Sequence, residues 1–213
     1  MKRLLLATLL AFSSSTWALD PGGAQRLADL QQRWAQIQYQ TPKEQRSEAF
    51  EKLAGDAATF VRQYPGAAEP LIWNGIVNSS WAGATGGLGA LSKVKAARAS
   101  LEQAIALDAG ALQGSAYTSL GTLYDQVPGW PIGFGDSDKA ETLLRQALQI
   151  NPNGIDSNYF WADHLVRRKR YDEARAALNK ALQAPPRPGR ELADQGRRSD
   201  IAALLKTLKD KQD

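Results

Sequence analysis

The segment KAETLLRQALQINPN (139–153) and the segment EARAALNKALQAPPR (173–187) superimpose at an offset of 34 residues. Ala140 falls on Ala174, Leu144 on Leu178, Ala147 on Ala181 and Pro152 on Pro186. At a further offset of 43, AARASLEQAIALDAG (96–110) joins them, with Ala97, Leu101 and Ala104 in register. Small and large apolar residues three and four apart form one stripe on a helix. The small ones let a neighbouring helix approach, and Pro152 marks the exit from its helix. A unit this short cannot bury its own stripe, so it must stack on copies of itself. No alternation long enough for a strand accompanies the pattern, and the expected fold is all-α.

The segments before each copy carry a second helical signal. AYTSLGTLY places Tyr117, Leu120, Gly121 and Tyr124 on one helix; NYFWADHLV supplies Trp161, Ala162 and Leu165, with Asn158 where the other has its first aromatic. LIWNGIVN gives Leu71, Gly75 and Asn78. Taken with the spacing of 34, these residues resemble the tetratricopeptide repeat (TPR) family over residues 68–187. The resemblance implies a helical-hairpin solenoid of three repeats, 68–110, 114–153 and 155–187. Residues 19–67 read as an N-terminal hairpin of two amphipathic helices, 22–40 and 43–64, in the manner of a degenerate repeat. Residues 188–213 read as a capping helix, carrying Leu192, Ile201, Leu204, Leu205 and Leu208, because a terminal repeat needs a polar outer face.

The first residues stand apart. MKRLLLATLLAFSSSTWALD has Lys2 and Arg3, an apolar run from Leu4 to Phe12, and small residues at Thr16 and Ala18. This layout predicts a signal peptide over 1–18, cleaved after Ala18, and hence a periplasmic protein. The run is too short to span a membrane, and no other segment approaches the ~20 apolar residues needed. There is no cysteine. Disulfides, thiol nucleophiles, thiolate metal sites and a lipid-bearing cysteine are excluded with it. Without Lys2 and Arg3 the chain holds 24 basic and 22 acidic residues, a balance that gives no case for nucleic acid. The cluster from Arg167 to Arg170 reads as a solvated helix C-terminus, where cations suit the macrodipole.

Two stretches break the repeat spacing. DQVPGWPIGFGDSDKA (125–140) holds seven residues more than the unadorned turn requires, and SSWAGATGGLGALSKV (79–94) accounts for an excess of ten. Both are expected as long loop insertions within repeats, meeting along one edge of the solenoid. They bring Trp81, Trp130, Phe134 and Asp136. From sequence alone these aromatics either cover helix ends or form a ligand or partner surface.

Little catalytic chemistry is on offer. GATGGLGALSK lacks the ending of a phosphate loop and no strand precedes it. The single histidine, His164, lies mid-helix and reads as a packed or surface residue. No Ser/His/Asp constellation or carboxylate pair stands out, so no catalytic, cofactor or metal site is expected. The TPR resemblance implies a concave face made by the first helix of each repeat, here Ile72, Ile76, Ser79, Thr118, Thr122, Asp125, Tyr159, Asp163 and Arg167. The residues of a carboxylate clamp are not evident in it. The expected function is a non-enzymatic periplasmic interaction or scaffold module with a protein partner in the envelope. The alternative is a carrier of a small apolar ligand. Export, repeats and long insertions together, with the block IWNGIVNSSWAGATGGLGAL, also resemble the periplasmic T-component proteins of tripartite (TRAP) transporters, which implies a place beside such a transporter.

Overall fold

The computed structural model describes residues 19–209; the leader expected over 1–18 lies outside them. Nine helices make up the described part: α1 (Pro21–Tyr39), α2 (Lys43–Gln63), α3 (Ala68–Thr85), α4 (Ala90–Leu107), α5 (Ala111–Gln126), α6 (Ser137–Ile150), α7 (Ile155–Arg167), α8 (Tyr171–Leu182) and α9 (Glu191–Lys209). Consecutive helices pair as antiparallel hairpins, and α1, α3, α5, α7 and α9 touch one another in succession. The all-α repeat solenoid expected from the stripes is the fold observed.

Local chemistry explains the helix ends. Asp20 accepts from the Gly23 amide at 2.6 Å, with Pro21 as the first helical residue of α1. Asp136 starts α6 by accepting from the amides of Asp138 and Lys139 at 3.1 and 3.0 Å. Each of these caps satisfies a donor that the helix leaves without an internal partner. α6 then buries Ala140, Leu143, Leu144 and Ala147, the stripe that aligned the repeats.

Within the hairpins, the small residue of one helix receives the large residue of the next. A Cβ on Gly75 would lie 2.5 Å from Leu101 Cγ, and one on Gly121 would lie 2.8 Å from Leu144 Cγ. Glycine is therefore required at both positions by close approach rather than by backbone angle. In the hairpin of α7 and α8, Ala162 occupies the matching place, and both it and Leu178 are fully buried.

The two insertions resolve differently. Residues 127–136 form the expected loop, held by its own backbone: the Gly135 amide donates to Pro128 O at 3.0 Å and the Asp136 amide to Tyr124 O at 2.9 Å. The earlier insertion is taken up largely as helix. α3 runs on to Thr85 and α4 starts at Ala90, leaving four residues between them. Trp81 thus sits on α3, half-buried, with Lys93 Nζ 4.1 Å from its ring centre. Glycine lowers helix propensity by only about 1 kcal/mol per residue, and the pairing of two 18-residue helices outweighs it. α5 opens on a left-handed turn, with φ of 46°, 56° and 75° at Leu112, Gln113 and Gly114.

The last helix returns to the first. α9 packs on α7 and α8 and also reaches α1. Tyr39 Oη donates to Asp200 Oδ2 at 3.1 Å, and the ring of Tyr39 lies flat against Gly196. The solenoid is closed on itself after four hairpins.

Candidate binding site on the concave face

The inner helices and the returning chain line a half-open cavity of about 1110 Å³. Trp34 of α1 and Trp73 and Ile76 of α3 form one apolar wall, with Trp34 against Trp73 edge to face at 5.9 Å. The indole nitrogen of Trp34 is satisfied by Ser80 Oγ at 2.8 Å, leaving its carbon surface to the interior. Ser115, Thr118, Ser119 and Thr122 of α5 form a more polar strip, and Phe160 of α7 stands beyond it. Thr122 donates its hydroxyl to Thr118 O, so part of that polarity is already spent within the helix.

The remaining wall is the connector from Ala184 to Arg190, with its three prolines, together with Arg197 of α9. Prolines suit this position because they hold an extended backbone that lacks donors to satisfy. Beside them lies a partly buried ionic cluster. Asp156 accepts from Arg187 Nη1 and Arg197 Nε, both at 2.7 Å. Arg187 also donates its amide and Nε to Asp194, at 2.8 and 2.7 Å, and Arg197 reaches Asp200 at 3.0 Å. Burial alone would raise the Asp156 carboxyl, but Arg197 and then Arg187 outweigh it and hold the group well below the usual range. The cluster ties α7, the connector and α9 together and so holds the cavity shut on that side.

The mouth is apolar and exposed. Leu88, in the turn before α4, is 83% exposed, and Ile132, in the loop before α6, is 60% exposed. Both border the cavity, so the two interrupted corners line one pocket. Trp130, two residues from Ile132, is 90% exposed. Phe134 behaves oppositely. It packs edge to face on Tyr124 at 5.3 Å and under the Arg98 guanidinium at 5.1 Å, covering the end of α5. The interruption therefore serves both purposes: one aromatic caps and the other projects.

The structure brings Ile76, Thr118 and Thr122 together in the cavity wall, with Ser79. Ile72 is wholly buried in the core. Asp136 is spent as a helix cap. Tyr159 packs on Phe160 and under Arg197, whose Cζ lies 4.3 Å from its ring centre; burial, ahead of any charge, raises its phenol. Asp163 accepts from Gln126 and Arg167. Asp125 is turned inward, its side chain 4% exposed, with Oδ1 2.8 Å from His164 Nδ1 and Oδ2 3.2 Å from Arg167 Nε. His164 is fully buried, stacked on Trp161, with Glu141 3.5 Å from its Nε2. This arrangement joins α5, α6 and α7. Among the described residues no group of three His, Cys, Asp or Glu is placed to hold a metal ion, and no helix is long and apolar enough to cross a membrane.

Trp34, Trp73, Phe160 and Arg190 carry no signal of a site in the sequence. The first three look like ordinary stripe residues of their helices, and the arginine like one more surface cation. Only the connector's run of prolines hints that it follows a fixed path.

Residues 132–194 match the family model described as tetratricopeptide repeat. Among solved structures, a thermophilic TPR protein of Thermus thermophilus is similar over 86% of this chain and 98% of its own, with 19% identity and a TM-score of 0.57. MamA (41-end) from Desulfovibrio magneticus RS-1 covers 85% of this chain and 96% of its own, at 14% identity and a TM-score of 0.43. PilF from Pseudomonas aeruginosa covers 88% and 93%, at 15% identity and 0.36. No curated protein matches the sequence. The likeness to the Thermus protein is one of fold, a TPR-type helical solenoid.

Proposed function

We propose that this TPR-type helical-repeat chain is a non-catalytic binding protein of the cell envelope that holds a small apolar ligand in its concave cavity. One observation carries the reading: α9 returns to α1, and the connector walls the groove that a solenoid would otherwise leave open. The half-open cavity of about 1110 Å³ lies just above the ~300–1,000 Å³ common for small-molecule sites. Its lining sets two tryptophans, a phenylalanine and aliphatic residues against the polar strip of α5 and the arginines of the connector and α9, and mostly apolar walls with polar groups among them suit such a site. The leader would deliver the chain to the periplasm, and the loose likeness to T-component proteins suggests a transporter nearby. Thermal unfolding against a panel of apolar compounds tests it. A ligand at a hundredfold excess over its Kd stabilises by about 2.7 kcal/mol, or roughly 5–10 °C for a chain of this size. No rise with any compound of the panel would count against the carrier reading. Fractionation of cells expressing the full chain tests the location.

A second reading rests on the rim. Leu88, Trp130 and Ile132 expose three large apolar side chains, and clustered exposed hydrophobics mark docking surfaces. On this reading the rim docks a protein partner in the envelope, as an adaptor would. Crosslinked capture from the native envelope with wild type and Trp130→Ala/Ile132→Ser would report it, by a partner lost only from the variant.

A further inference from the structure

Arg190 is the connector arginine that no carboxylate contacts; Asp156 and Asp194 attract it only from a distance. It lines the cavity beside Trp73, with its Cζ 5.1 Å from the indole ring centre. Its Nε is buried with no hydrogen-bond partner, and among the described residues its guanidinium makes neither a hydrogen bond nor an ion pair. The neighbouring acids are already committed. Both oxygens of Asp156 are taken by Arg187 and Arg197, both oxygens of Asp194 by Arg187, and Asp200 Oδ2 by Tyr39 and Arg197. Burial, and next the charge of Arg187, lower the Arg190 pKa from its ordinary value, against a weaker opposing pull from Asp156 and Asp194.

Arg190 is half-buried with its Nε sealed from water, and a guanidinium drawn into a protein is best compensated when an anion completes its hydrogen bonds. Arginine presents a planar fork of donors that fits a carboxylate with two parallel bonds. Next to it the cavity offers apolar and aromatic surface of small-molecule size. We propose that the cavity takes a monocarboxylate amphiphile, its carboxylate on Arg190 and its hydrocarbon body along the wall of Trp34, Trp73 and Ile76. This rests on the carrier reading and specifies its ligand. A fatty-acid-like molecule suits the walls better than a peptide C-terminus. An extended peptide brings an amide donor and acceptor per residue, and the wall of Trp34, Trp73 and Ile76 meets them with apolar surface, the Trp34 indole N–H being taken by Ser80.

Isothermal calorimetry with dodecanoate and dodecan-1-ol, each below its aggregation concentration, separates the claims. Wild type is expected to bind dodecanoate about tenfold or more tightly than the alcohol, the value of one charge-assisted bond. Arg190→Gln should bring the two to within about twofold while alcohol binding persists, and Arg190→Lys should restore part of the preference. Because the Arg190 side chain makes no hydrogen bond or ion pair and gives up only its contact with Trp73, Arg190→Gln is expected to fold, with a Tm close to wild type. Equal binding of acid and alcohol by wild type would overturn the role of Arg190 and leave the carrier reading standing. Binding of neither would overturn both. Binding of an apolar hexapeptide with a free C-terminus, but not of dodecanoate, would also overturn the proposal and move the site to a protein partner.

Discussion

Replacing Phe134 and Trp130 separately by alanine divides the interrupted corner into its two parts. Phe134 is half-buried, packs edge to face on Tyr124 at 5.3 Å, and lies 5.1 Å from the Arg98 guanidinium. An aromatic pair contributes about 0.5–1.5 kcal/mol beyond burial, and an exposed cation–π contact about 0.5–1 kcal/mol. Full burial of a phenylalanine would bring the loss on truncation to ~3–5 kcal/mol. For a half-buried ring with both contacts, Phe134→Ala should therefore cost roughly 2 kcal/mol. Trp130 is 90% exposed, so Trp130→Ala should stay within about 0.5 kcal/mol of wild type. Urea unfolding followed by far-ultraviolet circular dichroism reads both numbers. With a slope near ~2 kcal/mol/M, the Phe134 variant should unfold roughly 1 M earlier while the Trp130 variant coincides with wild type. A loss above about 1 kcal/mol for Trp130→Ala, or below about 0.5 kcal/mol for Phe134→Ala, would refute the division of labour drawn here.

Gly75→Ala puts a methyl 2.5 Å from Leu101 Cγ; overpacking of about 1–3 kcal/mol should exceed the ~1 kcal/mol gained in helix propensity, for a net loss in the same urea assay. Gly55, mid-helix in α2 with nothing within 4 Å of a Cβ, is the control, and Gly55→Ala should stabilise by about 0.5–1 kcal/mol. Asp156→Asn leaves Arg187 and Arg197 short of their shared carboxylate; it should cost about 2 kcal/mol or more and loosen α9, seen as faster amide exchange in that helix. Glu141 is held down at about 2, by Arg145 first and then, against burial, by Arg170 and His164. Its folded pKa lies below its ordinary 4.5, so its stabilisation is complete above pH 4.5 and is lost as pH falls towards 2. Glu141→Gln should flatten that part of the stability profile, and an unchanged acid limb would contradict the assignment.

Much of the fold is legible because helix pairing is written at short range. Ala140, Leu144 and Ala147 declare a stripe within eight residues, and the same letters recur 34 residues on at Ala174, Leu178 and Ala181. Gly75 and Gly121 likewise announce where a partner helix comes close, and Leu101 and Leu144 fill those places. The insertion at 79–94 differs in form from the expected loop, for which its glycines argue, because length for length the residues extend α3 and α4. Local propensity is a weak force beside the burial of a long helix pair.

What the amino-acid order determined by itself is the set of helical hairpins and the corner at which they are interrupted, since both follow from residues within one or two turns of each other. Whether the concave face stays open was decided only by the tertiary structure. It depends on small rotations summed over four hairpins, and on contacts such as Tyr39 to Asp200, 161 residues apart. No periodicity carries that sum. The same closure brings Arg190 beside Trp73 and gives the acids around it to other arginines. An arginine that reads in the chain as one more surface charge thereby becomes a half-buried cation lining a largely apolar cavity.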